Sequence, residues 1–221
     1  MRASERRQRT QVAVRGAGSP HPNPLPGGEG ANQRATAVLD FWFDGHSAPR
    51  EQWFRKDAAF DAVIAERFGA LVEQALAGGL AGWAAPPLAP LQALAQLIVL
   101  DQFPRNLFRG SARAFAGDAL ALRTARALVA SGLDRGLAGV QRQFVYLPFE
   151  HAEDLAHQRT SLQLFEQLGR DEPALAGLAE WAERHHAIVA RFGRFPHRNA
   201  ALGRASSDEE AAFLLTPGSS F

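Results

Sequence analysis

Apolar residues recur at helical spacing along most of the chain, and this pattern restricts the fold more than any other feature of the sequence. Phe60, Ile64 and Phe68, for example, follow one another at intervals of four residues, as on one face of an α-helix. Asp57 precedes that segment and is predicted to be its N-cap. No segment alternates between apolar and polar residues over the length of a strand. The sequence therefore predicts an all-α protein.

Glycine and proline residues divide the helical pattern into segments joined by short loops. Pro104 and Pro148 are predicted to end two of the helices, and residues 106–110 are predicted to form a loop. Ser206 followed by Glu209 is a capping-box pattern and predicts the start of the last helix. We expect a single array or bundle of about seven or eight helices, at residues 38–43, 58–77, 91–103, 114–130, 137–146, 149–168, 171–192 and 209–215.

The first 35 residues differ in composition from the rest of the chain. Residues 19–30 contain four prolines and three glycines, and both residue types disfavour helices and strands. We therefore predict that residues 1–35 form a disordered extension and that residues 36–221 form one helical domain.

Charge is distributed unevenly between these two parts. Residues 1–36 hold six arginines and two glutamates, for a net charge of +4, whereas the remainder holds 18 basic and 21 acidic residues, for a net charge of −3. The predicted helical domain therefore lacks the overall basic charge that is typical of nucleic-acid-binding proteins, and we do not expect a nucleic-acid partner.

The composition also excludes several classes of protein. The chain has no cysteine, which rules out disulfides, thiol nucleophiles, zinc–thiolate sites and iron–sulfur clusters. No apolar run reaches the roughly 18 residues that a membrane-spanning helix needs. The phosphate-binding pattern G-x-x-x-x-G-K-[ST] and the nucleophile-elbow pattern G-x-S-x-G are both absent. We expect a cytoplasmic protein without a membrane segment.

Several polar residues fall on helix faces that should be buried. Asp101, for example, lies on the same arc of its helix as Leu94 and Leu97. A buried carboxylate without a partner is costly, so each such group needs a cation or a shifted pKa. The predicted inward-facing set is Asp101, Glu150, Asp154, His157, Ser161 and His185.

Two arginine-rich stretches could supply the cations. One is DQFPRNLFRG at residues 101–110, and the other is RFGRFPHRN at residues 191–199, with Arg204 beyond it. The planar guanidinium group binds carboxylates or phosphates through two parallel hydrogen bonds. Two interpretations remain open: the arginines only neutralise buried acids, or they also leave one side open for an anionic small molecule while His151 or Glu150 handles a proton.

These motifs resemble a bacterial family known as domain of unknown function 924. The resemblance rests on LDQFPRNLFRG (100–110), AFAGD (114–118), LPFEHAED (147–154) and RFGRFPHRN (191–199), and it covers residues 36–221. It implies a helical fold similar to that of tetratricopeptide-repeat proteins, and it implies no settled activity. Ala152 departs from the family pattern, which commonly has serine there, so a hydroxyl role at this position is in doubt. The signature positions that the resemblance suggests are Asp101, Gln102, Arg105, Asn106, Arg109, Glu150, His151, Glu153, Asp154, Arg194, His197, Arg198 and Asn199.

From these observations we predict a buried polar site that binds a small molecule or an anion, and we leave open whether it is enzymatic. The predicted acid–base residues are Glu150, His151 and Asp154. The predicted ligand-binding residues are Asp101, Gln102, Arg105, Asn106, Arg109, Arg194, His197, Arg198 and Asn199.

Two other interpretations compete with this site. Stacked helices can form a groove for a peptide or protein partner, with Trp42, Trp53, Trp83 and Trp181 as anchors and a purely structural polar cluster. A carboxylate and a histidine three residues apart, as in residues 154–157 and 183–186, are also typical of di-iron bundles. Glu183 is predicted to face solvent, however, and such sites need two further inward-facing glutamates, so we predict neither a metal nor a cofactor.

Overall fold

The computed structural model describes residues 27–220, and within that range it contains α-helices and no β-strand, which confirms the all-α prediction. Short turns of 3₁₀-helix connect several of the helices. A π-helical turn at Ile98–Gln102 joins α3 to α4 without a break. The α-helices are α1 (Gly27–Phe43), α2 (Ala58–Leu76), α3 (Pro90–Leu97), α4 (Phe103–Leu107), α5 (Asp118–Ser131), α6 (Gly139–Glu150), α7 (Leu155–Asp171), α8 (Ala179–Phe192) and α9 (Asp208–Leu214).

A cluster of aromatic rings forms the centre of the apolar core. Trp42 of α1 stacks on Trp53 at a centroid distance of 5.9 Å, and Phe144 of α6 meets the edge of Trp53 at 4.9 Å. Phe103 of α4 contacts Trp42 at 5.7 Å. All four rings are buried, and burying one such side chain contributes about 1.5–3 kcal/mol to folding. This cluster therefore fixes α1, α4 and α6 relative to one another.

Helices α6, α7 and α8 pack side by side and lead into two parts of the site, the turn that carries His151 and the segment that carries Arg198. Helices α6 and α7 are antiparallel, and α7 packs against both α6 and α8. Arg142 at the start of α6 reaches Asp171 at the end of α7, with an NH1–Oδ2 distance of 2.8 Å. Tyr146 packs against Phe165 with a centroid distance of 5.8 Å. These contacts fix the register in which residues of α6 face residues of α7.

Two prolines do not end helices as predicted. Pro104 lies in the first turn of α4, so the helix continues through Asn106 to Leu107, where a loop was predicted. The preceding π turn already shifts the regular helical hydrogen bonds, since the Phe103 N–H bonds to the Ile98 carbonyl five residues back, and a proline is accommodated at this break in the pattern. Pro148 lies inside α6, which continues to Glu150. As a result Glu150 belongs to the end of α6 and not to the following helix.

The two ends of the chain also differ from the prediction. Helix α1 begins at Gly27, so residues 27–35 are helical although they were predicted to belong to the disordered extension. Residues 1–26 of that predicted extension lie outside the described residues. The capping box of α9 is Ser207 with Glu210, one residue later than predicted. None of the helices within residues 27–220 is long and apolar enough to cross a membrane.

Candidate functional site

The π-helical turn between α3 and α4 places Asp101 in the interior, where the carboxylate is 1% exposed. Gly117 lies directly against this turn, and a Cβ atom at that position would be 2.0 Å from the Leu100 carbonyl oxygen. The absence of a side chain therefore allows the start of α5 to approach the π turn. Asp118, the first residue of α5, is brought near Asp101 in this way. Such π turns occur frequently at functional sites.

Asp101 and His151 form a hydrogen-bonded pair. His151 lies in the turn between α6 and α7, and its Nδ1 is 2.8 Å from Asp101 Oδ1. Gln102 Nε2 donates to Asp101 Oδ2 at 2.6 Å. Burial alone would raise the pKa of Asp101, but the charge of Arg105 and these hydrogen bonds hold that pKa well below its usual range. Asp101 is therefore ionised.

The ionised carboxylate determines the tautomer of His151. Because Asp101 can only accept a hydrogen bond, Nδ1 of His151 must donate. Burial and the charge of Arg105 lower the pKa of His151, so the imidazole is neutral near pH 7. None of the described residues hydrogen-bonds to its Nε2. A neutral imidazole with this tautomer offers a proton acceptor at Nε2, as a general base does.

Asp118 connects two arginines beside this pair. Arg105 donates to both carboxylate oxygens of Asp118, at 2.8 and 3.1 Å, and to the Asp101 backbone carbonyl at 2.7 Å. Arg198 NH1 donates to Asp118 Oδ2 at 3.3 Å. A continuous network therefore runs from His151 through Asp101, Arg105 and Asp118 to Arg198. It joins the three stretches that the sequence analysis expected to meet.

Arg198 is held between two phenylalanine rings. Its guanidinium carbon lies 4.7 Å from the ring centre of Phe115 and 4.5 Å from that of Phe195. Burial lowers the pKa of Arg198 to about 10, which leaves it charged at neutral pH. Its contact with Asp118 uses NH1 alone, and NH2 makes no hydrogen bond to any residue in the range 27–220. The guanidinium therefore keeps donor capacity for another group.

A cavity of about 360 Å³ opens beside this network. Its wall combines the polar groups of Asp118, His151 and Arg198 with apolar side chains such as Leu122 and Pro148. A cavity of this size and mixed lining suits a small molecule. Another cavity, of about 490 Å³, lies between α1 and α2 and contains none of the predicted site residues. The residues around the smaller cavity are Phe115, Asp118, Ala119, Leu122, Pro148, His151, Ala152, Glu153, Asp154, His157, Arg198 and Leu202.

Glu150 lies deeper than His151 and faces α8. Its Oε1 atom is 3.1 Å from Nδ1 of His185, and that nitrogen also lies 2.8 Å from the Trp181 carbonyl oxygen. Burial, together with the charge of Asp101, raises the pKa of Glu150 to about 8. Burial lowers the pKa of His185 to about 3, and the charge of Arg198 acts in the same direction. Near pH 7 this pair is therefore a carboxylic acid and a neutral imidazole.

Asp154 caps the N-terminus of α7, a role that the sequence analysis did not predict. Its carboxylate accepts hydrogen bonds from the backbone of Ala156 at 2.8 Å and of His157 at 3.0 Å, as the N-cap of α7. It is exposed, contrary to the prediction that it faces inward. The reason is that α7 begins at Leu155, so residue 154 precedes the helix on which it was projected.

The remaining predicted site residues lie in two separate networks. Asn106 and Arg109 both donate to Asp61 of α2, with distances of 2.7 to 3.1 Å, and none of the three lines the cavity. Arg194 and Asn199 donate to Glu210 of α9. These two networks bind helix ends together.

His197 and Arg204 lie in the segment that follows α8. His197 packs against the Phe195 ring at 5.6 Å, and burial lowers its pKa to about 4. Arg204 forms two hydrogen bonds to Glu153, at 2.6 and 2.8 Å. Glu153 also accepts a hydrogen bond from the Phe195 backbone at 2.7 Å, so it anchors this segment to the turn that carries His151.

Asp118 is the central residue that the site prediction missed. It belongs to the AFAGD segment at 114–118, which carried the family resemblance, and it follows a glycine at the start of an amphipathic helix. That position is a signal for an acid at a helix N-terminus, but helical projection alone does not show which distant arginines it meets. Within residues 27–220, no group of three or more histidine, aspartate or glutamate side chains is arranged to hold a metal ion.

Comparisons with other proteins place the chain among relatives whose functions are not established. The model of a family described as bacterial proteins of unknown function, DUF924, matches residues 38–218. A solved structure of a protein of unknown function from Agrobacterium tumefaciens is similar, with a TM-score of 0.74 and 39% sequence identity. That match covers 84% of this chain and 98% of the other. No curated protein matches the chain.

Proposed function

The chain belongs to the DUF924 family of bacterial proteins of unknown function, and from the geometry of its own site we propose that it binds a small anionic molecule in the cavity between His151 and Arg198. The observation that carries this proposal is the shared wall: an imidazole oriented by Asp101 and a guanidinium with spare donors line the same cavity. Arg198 holds the anionic group, and the apolar wall holds the remainder of the ligand.

The charges around the cavity indicate that the protein takes up a proton when the anion binds. The charges beside the cavity are paired: Asp101 and Asp118 with Arg105 and Arg198, and Glu153 with Arg204. Asp154 is exposed to solvent, and His151 is neutral. An anion would therefore leave the buried site with a net negative charge, which is unfavourable in a partly desolvated cavity. Uptake of a proton at Nε2 of His151 restores neutrality. Binding of the anion is thus coupled to protonation of His151, and a ligand with an acidic proton can deliver that proton itself.

The position of the tryptophans supports a small ligand over a protein partner. Trp42, Trp53 and Trp83 are buried in the core, so they are not available as anchors for a peptide. Trp181 is 47% exposed and lies beside the charged group of Arg184, at 4.8 Å from its ring centre.

Calorimetry with simple anions tests the proposal. We expect benzoate, which combines a carboxylate with an apolar ring, to bind with uptake of about one proton, measured by repeating the titration in buffers of different ionisation enthalpy. His151→Asn keeps a donor toward Asp101 and removes the acceptor at Nε2, so it should abolish the proton uptake. Arg198→Met should weaken binding at least tenfold, because a charge-assisted hydrogen bond contributes roughly 1.5–3 kcal/mol.

His46→Asn is the matched control, because His46 is exposed and distant from the cavity lining. It should bind benzoate as the parent protein does. If benzoate, butyrate and inorganic phosphate all fail to bind, or if they bind equally well to the His151 and Arg198 variants, the cavity is not the anion site.

A further inference from the structure

Near the turn that joins α6 to α7, three buried side chains carry polar atoms that no described protein group satisfies. These atoms are Oε2 of Glu150, Oε1 of Gln158 and Oγ of Ser161. The three residues are 3%, 0% and 0% exposed. Nearly all buried polar atoms in folded proteins have a hydrogen-bond partner, either protein or ordered water. Three unsatisfied atoms in one small region therefore require an explanation.

The helix register brings the three side chains to the same end of the α6–α7 interface. The contacts of Arg142 with Asp171 and of Tyr146 with Phe165 set the antiparallel pairing of α6 with α7. Tyr146 faces Phe165, and the two helices run in opposite directions. One turn further along α6, Glu150 therefore lies opposite Ser161. Gln158 lies on the same face of α7, one turn before Ser161, and its Nε2 donates to the Glu150 carbonyl oxygen at 2.6 Å.

The orientation of the Gln158 amide is fixed by its nitrogen. Nε2 donates to the backbone carbonyls of Glu150 and Ala152, at 2.6 and 2.8 Å. Both amide hydrogens are therefore used, and Oε1 must act as an acceptor. Oε1 of Glu150 already faces the Nδ1–H group of His185, so Oε2 is the oxygen left toward α7.

We propose that an ordered water molecule occupies an interior site formed by Glu150, Gln158 and Ser161. A water molecule donates two hydrogen bonds and accepts up to two, and internal waters typically make about three. It can donate to Oε1 of Gln158 and to Oγ of Ser161, and it can accept from the carboxylic acid of Glu150. The three unsatisfied atoms thus match the hydrogen-bonding capacity of one water.

The surroundings of Glu150 support a neutral occupant. The groups that face it are His185 from α8, Asp101 from the π turn and its neighbour His151, and none of them is a cation near pH 7. Burial raises the pKa of Glu150 to about 8, so its carboxyl group carries a proton to donate. A sodium or potassium ion would instead need an ionised carboxylate.

This site is independent of ligand binding in the cavity, but it is adjacent to the turn that carries His151. Gln158 donates hydrogen bonds to two backbone carbonyls at that turn, those of Glu150 and Ala152. The proposed water links the Gln158 side chain to the Glu150 side chain at the end of α6. The water therefore positions the turn through Gln158 and does not contact the cavity.

Magnetic relaxation dispersion of the water oxygen nucleus tests the proposal, since it counts water molecules with long residence times inside a protein. Ser161→Val places additional methyl groups in the site and should reduce the count by one. Ser161→Ala keeps the space but removes one partner of the water, so its thermal unfolding midpoint should fall. Thr160→Ala is the matched control, because this neighbouring hydroxyl bonds to the Ala156 carbonyl of its own helix. It should leave the count unchanged.

Two results would overturn the proposal. If Ser161→Ala raises the unfolding midpoint and Ser161→Val leaves the water count unchanged, the hydroxyl is an unsatisfied group without a water partner. If sodium or potassium chloride raises the midpoint of the parent protein, relative to choline chloride at the same ionic strength, and Ser161→Ala removes that difference, the occupant is a cation.

Discussion

Asp101 and Glu150 are buried acids in the same region, yet their pKa values shift in opposite directions. Burial raises the pKa of both groups. Asp101 has the charge of Arg105 and the hydrogen bond of His151 to oppose that effect, and Glu150 has no cation beside it. Differences in local partners therefore set opposite protonation states, a pattern found where proteins separate the roles of two acids.

The protonation of Glu150 makes stability depend on pH. Because its pKa is about 8 in the folded protein and near 4.5 in the unfolded chain, the unfolded chain releases this proton first. The contribution of Glu150 is complete below about pH 4.5 and is lost as the pH rises toward 8, by at most about 1.4 kcal/mol per pH unit. Glu150→Gln cannot ionise, so its free energy of unfolding should increase relative to the parent protein across this range and level off above pH 8.

Urea unfolding at a series of pH values measures this difference. Glu166→Gln is the control, because Glu166 is an exposed glutamate on the neighbouring helix α7, and its curve should run parallel to that of the parent protein. A Glu150→Gln curve that is equally parallel would show that Glu150 is ionised in the folded state.

Sequence periodicity predicted the burial of several single residues correctly. Asp101 and His185 were expected to face inward, and both are buried. Asp154 was expected to do the same, but it precedes α7, which begins at Leu155, so the projection does not apply to it. His157, in the first turn of α7, is only half-buried and lines the cavity. The pairing of Asp118 with Arg105 and Arg198 joins residues up to 80 positions apart, which helical periodicity does not encode.

At the scale of elements, the contact between the π turn and the start of α5 depends on Gly117. Alanine there would place Cβ 2.0 Å from the Leu100 carbonyl oxygen, so either α5 or the turn must move. We expect Gly117→Ala to lower the free energy of unfolding by about 1–3 kcal/mol, the usual cost of overpacking. The loss should be accompanied by weaker anion binding, since Asp118 moves with α5.

Chemical denaturation with Gly69→Ala as the control tests this contact. Gly69 lies in the middle of α2 with an ordinary helical backbone, and a Cβ atom added there would have open space within 4 Å. Alanine at Gly69 should raise the free energy of unfolding by about 0.5–1 kcal/mol. A Gly117 variant that is as stable as the parent protein would mean that the two elements are not in close contact.

The role of Asp154 is also a property of an element, because it caps α7. Asp154→Ala should lower the free energy of unfolding by about 1 kcal/mol, since two backbone N–H groups lose their partner. Asp154→Ser keeps a capping oxygen and should restore most of that stability. Both variants should keep the proton uptake of benzoate binding, whereas a catalytic Asp154 would lose it in the serine variant too.

It was easier to predict that a segment forms a helix than to predict the residues at which the helix begins and ends. The segment after Asp57 was predicted to within one residue, because a side-chain cap and a double glycine mark its limits. The prolines were misleading at residues 104 and 148, where the first turn of α4 and the last turn of α6 accommodate them. The local sequence contains no signal for the π turn, since its geometry depends on the packing of α5 against it.

At the scale of the whole molecule, polar contacts join the segment after α8 to the rest of the protein. A small apolar cluster, separate from the main core, packs Phe195 of this segment against Ile188 and Val189 of α8. Its contacts to the turn before α7 are those of Arg204 and of the Phe195 backbone with Glu153. The segment also carries Arg198, so its attachment determines whether the cavity wall is complete.

Hydrogen exchange tests this attachment. Arg204→Gln should increase amide exchange in residues 193–214 by about tenfold, because hydrogen bonds to a charged group contribute roughly 1.5–3 kcal/mol. Exchange in α2 and α3 should not change. Arg113→Gln, which removes an exposed ion pair with Glu73, is the control and should leave residues 193–214 unaffected. Uniformly faster exchange in the Arg204 variant would indicate global destabilisation.

The π turn at Ile98–Gln102 also constrains how the length of this segment can vary among relatives. Such a turn contains one residue more than a regular helical turn, and each added or removed residue rotates everything beyond it by about 100°. Losing one residue would straighten the helix and direct Asp101 away from His151. We therefore expect an alignment of relatives that keep this acid–imidazole pair to show neither insertions nor deletions between Leu97 and Arg105, even where the intervening apolar residues differ.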